Sequence, residues 1–79
     1  MTNLTIKKAI EILGNQASLA AAVTEIQPAH RVSQQAVSGW LRNGCPPDRV
    51  LAVEKATNGE VTRYQLRPDI YPLDEGAVA

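Results

Sequence analysis

Gln34, Gln35, Ser38 and Arg42 lie within residues 33–44 at spacings that place them on one side of a short helix. Val37, Trp40 and Leu41 fall on the opposite side in a single apolar stripe. Carboxamide and guanidinium groups match base-pair edges bidentately in a DNA major groove, glutamine favouring adenine N6 and N7 with guanine as second choice. Ser33 can cap the amino end of this helix through its hydroxyl, and Gly44 can close the carboxyl end in a left-handed conformation. A helix bounded in this way, with this polar face, is built to meet another molecule.

The neighbouring segments must position it. Ile6, Ala9, Ile10 and Leu13 predict a helix over 5–13, with Lys7, Lys8 and Glu11 outward and Gly14 as its stop. Asn15 is placed to cap a second helix from Gln16 to about Thr24, with Leu19, Ala20 and Val23 inward. Pro28 disfavours helix at Gln27, so 24–32 is either an extension of the second helix or a loop beside the third. Cys45-Pro46-Pro47 is a rigid connector, and one proline can open a fourth helix running from about Pro47 to Thr57, with Val50, Leu51, Val53 and Ala56 available to the core. Asn58-Gly59 ends it, Val61 reads as locally extended, and Thr62 caps a last helix over 63–66 before Pro68. The expected fold class is all-α: four to five short helices, the second and third in a helix-turn-helix arrangement.

Seventy-nine residues bound one small domain near the size at which a single core is only marginally stable. Its expected extent is 1–72, followed by a flexible acidic tail over 73–79. The formal net charge is zero, but its distribution is uneven. All eight lysines and arginines lie in residues 1–68 against five acids, Glu11, Glu25, Asp48, Glu54 and Glu60; Asp69, Asp74 and Glu75 cancel the excess. A basic folded part permits a nucleic-acid partner without requiring one. No apolar run approaches the roughly 18 residues of a membrane span, and the amino end lacks a signal-peptide pattern. The expected setting is the cytoplasm, at the nucleoid, with no membrane partner. One His, one Cys and no helically spaced carboxylate pair leave no nucleophile–base set and no metal cage, which argues against an enzyme and implies no cofactor. Nor is there an aromatic platform for single strands.

Asn15-Gln16-Ala17-Ser18-Leu19-Ala20, followed by Val32-Ser33-Gln34-Gln35-Ala36-Val37-Ser38-Gly39-Trp40, resembles the helix-turn-helix of lambda-type phage repressors and Cro proteins. Pro46 to Gly59, then Val61-Thr62 and Leu66-Arg67-Pro68-Asp69, resemble the YdaS-like, Cro-related family of prophage regulators, some described as antitoxins. The resemblance covers roughly residues 6 to 72. It implies that Gln34, Gln35 and Ser38 face base edges. It implies that Asn15, Gln16, Arg31, Ser33 and Arg42 serve phosphates, Gln16 with help from the dipole of its helix. His30 would be a flanking contact, Ala20 the small residue at the helix crossing, and Val37 and Trp40 the anchors of the reading helix. Plainer readings stand beside these: solvated glutamines, an Arg42 that answers its own helix dipole, a surface His30. The chain departs from the family pattern in the turn, which is several residues longer than usual and contains Pro28.

The function implied is that of a Cro-like regulator bound to a double-stranded operator as a homodimer, because one helix reads only a few base pairs. The rival reading is an antitoxin-type module that neutralises a protein toxin, its acidic end folding on the partner.

Overall fold

Side-chain caps set the helix boundaries. Asn15 Oδ1 accepts from the Ser18 N–H at 2.8 Å, Ser33 Oγ from the Ala36 N–H at 3.1 Å, and Thr62 and Gln65 form a reciprocal capping box. Asn3 adds a cap that sequence reading missed: its Oδ1 accepts from the Ile6 N–H at 3.0 Å, so the first helix begins one residue earlier than expected. The computed structural model describes residues 3–71 and shows α1 Leu4–Leu13, α2 Gln16–Ile26, α3 Gln34–Asn43, a 3₁₀ turn Pro47–Arg49, α4 Val50–Ala56 and α5 Arg63–Leu66. There is no strand among the described residues. The proposed acidic tail, 73–79, lies outside them.

Gly44 ends α3 as expected, but not in the left-handed helical region. At φ 92° and ψ 170° it lies in the mirror-extended region that only glycine enters readily, and its N–H donates to Trp40 O at 2.7 Å.

α2 is the central element and packs against α1, α3 and α4, while α5 touches α1 and α4. Ile6, Leu19, Val23, Val37, Val50, Val53 and Val61 are completely buried. The fourth helix differs from expectation in its first turn. Pro47 has no N–H to give, and Arg49 N–H donates to Pro46 O at 3.0 Å in a tighter 3₁₀ turn. Within α4 and its cap the buried positions Val50, Val53 and Thr57 fall on one side at ordinary α-helical spacing, which turns Leu51 outward, 48% exposed, and Ala52 inward. Tyr71 is part-buried against the core and lies under the Arg63 guanidinium, which sits 5.9 Å from the ring centroid.

Thr57 is the buried polar residue of this core. Its hydroxyl donates to Val53 O and Glu54 O at 3.1 and 3.0 Å and accepts from the Val61 N–H at 3.1 Å. Val61 is therefore held inward by a side-chain bond rather than by strand pairing, with no buried donor left over.

Glu54 accepts from the backbone N–H, Nε and Nη2 of Arg63 at 2.9, 3.1 and 2.8 Å, joining α4 to the start of α5. The Arg63 hydrogen bonds hold the Glu54 carboxyl below its ordinary value of 4.5. A carboxyl depressed by folding contributes stability that is whole above the unfolded value and is lost as pH falls through the folded one. The Arg67–Asp69 pair acts in a lower window, since Arg67 holds Asp69 down to about 2. Urea midpoints are therefore expected to fall as pH drops below 4.5, with Glu54→Gln flattening the first part of that decline; parallel titrations of the two proteins check it.

Candidate nucleic-acid interface

The roll of α3 is set by Val37 and Trp40, which are 0% and 6% exposed. Burying side chains of this size contributes roughly 1.5–3 kcal/mol each, so turning the helix to hide its glutamines would cost several such contributions. Gln34, Gln35 and Arg42 are consequently exposed and Ser38 half-buried. Gln16, from the first turn of α2, meets Gln34, Gln35 and Ser38 in one open groove. The structure thus brings together all three residues expected to face bases and one expected to face a phosphate.

None of the other expected phosphate residues lines this groove itself. The Asn15 and Ser33 oxygens are committed as caps, which leaves the Asn15 amide hydrogens and the Ser33 hydroxyl proton as donors, the polarity an anion needs. The first N–H groups of α2 and α3 reinforce that polarity. Arg31 is exposed and lines a neighbouring hollow with Ala17, Ala20, Ala21, Thr24, Val32 and Gln34. Ala20 is buried where α2 and α3 approach. Arg42 lies in the last turn of α3, near the negative end of that helix as well as on its outer face. His30 is exposed and lines neither hollow. Between Glu25 and Asp48 the chain has no carboxylate and two arginines, Arg31 and Arg42.

The long turn is resolved as an extension of α2 to Ile26 followed by a tied loop. Arg49 Nη1 donates to Gln27 Oε1 at 2.7 Å and to His30 O at 2.8 Å, while Gln27 Nε2 donates to Asp48 O at 2.9 Å. On the other flank Thr24 Oγ1 donates to Ala20 O at 2.8 Å and accepts from the Val32 N–H at 2.9 Å. Gln27, Arg49 and Thr24 thus tie down the loop that leads into α3. Sequence reading assigned none of them this role, because the bonds of Gln27 to Arg49 and Asp48 join positions that no local pattern relates.

A family profile described as "Bacterial toxin YdaS" matches residues 6–75. The chain belongs to the YdaS family. Among curated relatives, the Escherichia coli (strain K12) protein named "Putative transcriptional regulator YdaS" is 34% identical over 70 residues, which is 86% of this chain. The chain spans 64% of that relative's length. No solved structure matches the chain.

The remaining chemistry of this YdaS-family chain is quiet. Burial pushes the Cys45 thiol up to about 12 against the opposing pull of Arg67, so the sulfur stays protonated. Among the described residues no group of three or more His, Cys, Asp or Glu is placed to hold a metal, and no helix is long and apolar enough to cross a membrane.

The loop clamp has a measurable consequence. Arg49→Ala should cost about 1 kcal/mol of stability, the usual worth of such exchangeable bonds. It should also speed amide hydrogen exchange at His30 and its neighbours more than in α1. A denaturant titration and an exchange experiment on the two proteins test both parts.

Proposed function

We propose that this YdaS-family chain is a transcriptional regulator that binds double-stranded DNA in a sequence-specific way, with α3 lying in the major groove and residues 1–72 forming the binding domain. The observation that carries the proposal is the groove in which Gln16 meets Gln34, Gln35 and Ser38, none of them acidic. In this reading Gln34, Gln35 and Ser38 read base edges, and Asn15, Gln16, Arg31, Ser33 and Arg42 hold phosphates on either side. His30 is left as a flanking contact. The printed name of the Escherichia coli relative supports a regulatory role. The protein acts by occupancy in the cytoplasm, at the nucleoid, without a cofactor and without catalysis.

One helix of this length reads only a few base pairs, so useful specificity calls for a homodimer on half-sites about one DNA turn apart. Selection from random duplexes should yield a two-fold-related consensus. Gln35→Ala should weaken that site by about 1–3 kcal/mol and relax one base position, whereas Arg31→Ala should weaken all sequences alike and reduce the salt dependence. Equal losses on the selected and a scrambled duplex for both variants would sink the base-reading assignment.

The family's printed description favours a second reading in which the chain acts as a toxin. That description names a toxin and no partner. The two readings converge if occupancy of an essential promoter is what arrests growth. Growth arrest on overexpression should then be lost with Gln35→Ala. Arrest that persists in a variant shown not to bind DNA would assign the effect to a protein partner.

A further inference from the structure

Nothing inside the protein requires a glycine at position 39. Gly39 is the sixth residue of α3, and it lies in helical backbone: among the described glycines Gly14, Gly44 and Gly59 have positive φ and Gly39 does not. A Cβ built on Gly39 meets no atom within 4 Å. Neither backbone geometry nor packing therefore excludes a side chain. A mid-helix glycine nonetheless weakens the helix relative to alanine, because it has more chain entropy to lose. The weakness is placed in the helix whose orientation matters most, and on its outer side. Gly39 follows Gln35 by four residues and precedes Arg42 by three, so these three share one face with Ser38 beside them. The outer face of α3 is thus a patch of bare backbone flanked, one turn above and one turn below, by side chains long enough to reach past it.

A glycine that its own protein does not need suits a place where another surface must approach closer than a Cβ allows. Resting on the reading of α3 as the helix that enters the groove, we infer that Gly39 is the point of closest approach between α3 and the base-pair edges. Its missing side chain lets Gln35 reach the base edges while Arg42 reaches the phosphates that border them. A side chain there would stand between helix and groove floor and hold both neighbours off. Gly39 then acts on specificity without making a hydrogen bond of its own.

The test compares wild type with Gly39→Ala and Gly39→Gln, using the duplex that wild type itself selects from a random pool and a scrambled duplex as the second probe. Gly39→Ala should raise the unfolding midpoint by about 5 °C, as expected for removing a helix-interior glycine from a domain of this size. It should also lower affinity for the selected duplex by about tenfold, the scale of a mismatched base pair, with less loss on the scrambled one. Gly39→Gln should lose more. Opposite signs for stability and affinity are what a merely structural glycine cannot give. A lowered midpoint for Gly39→Ala overturns the inference, as does unchanged affinity for the selected duplex. If wild type enriches no duplex at all, the DNA reading of α3 falls, and Gly39 with it.

Discussion

Val37 and Trp40 bury themselves against the body of the domain, and α3 has no freedom to roll once they have. The rest of the presented surface depends on that constraint. Because two large side chains face inward, Gln34, Gln35 and Arg42 face outward, and the amino end of α3 comes to lie beside that of α2. α2 is the natural support: it packs against α1 and α4 as well as α3, so a shift in any of them is felt at the groove.

Burial fixes the roll of α3 but not the angle at which the chain enters it. That is left to polar bonds at the loop. Two carbonyls, a carboxamide and a guanidinium are matched across Gln27, His30, Asp48 and Arg49, and the Thr24 hydroxyl closes the other flank. Arg49 thereby commits its Nη1 donors inside the structure. The exposed basic residues on the carboxylate-free stretch between Glu25 and Asp48 are Arg31 and Arg42.

Much of this was legible in the residues. Caps and stripes are local signals, so Asn15, Ser33 and Thr62 announced the starts of α2, α3 and α5, and the apolar spacing of α1 to α3 identified their inner faces. The groove residues were legible for the same reason: outer positions follow once inner ones are known. What escaped was non-local or depended on small backbone changes. Leu51 looked like core because it is apolar and adjoins Val50, but the buried stripe runs through Val50, Val53 and Thr57, and the polar type of Thr57 hid it. Gly44 was expected to be left-handed, since the sequence shows that glycine is there but not which glycine-only region it adopts. The Arg49 clamp joins residues from separate elements, and nothing in the sequence around Pro28 names its partner.

The start of α1 carries a consequence for how the protein comes into being. A helix cannot satisfy its own last carbonyls, and that of Leu41, in the final turn of α3, finds its partner in the backbone N–H of Asn3 at 2.6 Å. The front of the chain thus finishes one end of α3, and Arg49, encoded after it, steadies the loop at the other. Both closures span long stretches of chain, and each carries a loop-closure cost that a local contact does not. The outer face of α3 is therefore held in place by contacts from both sides of it in the chain. Partly folded chains lack a rigid version of it, and an excised α3 peptide would carry the same side chains without the frame that aims them.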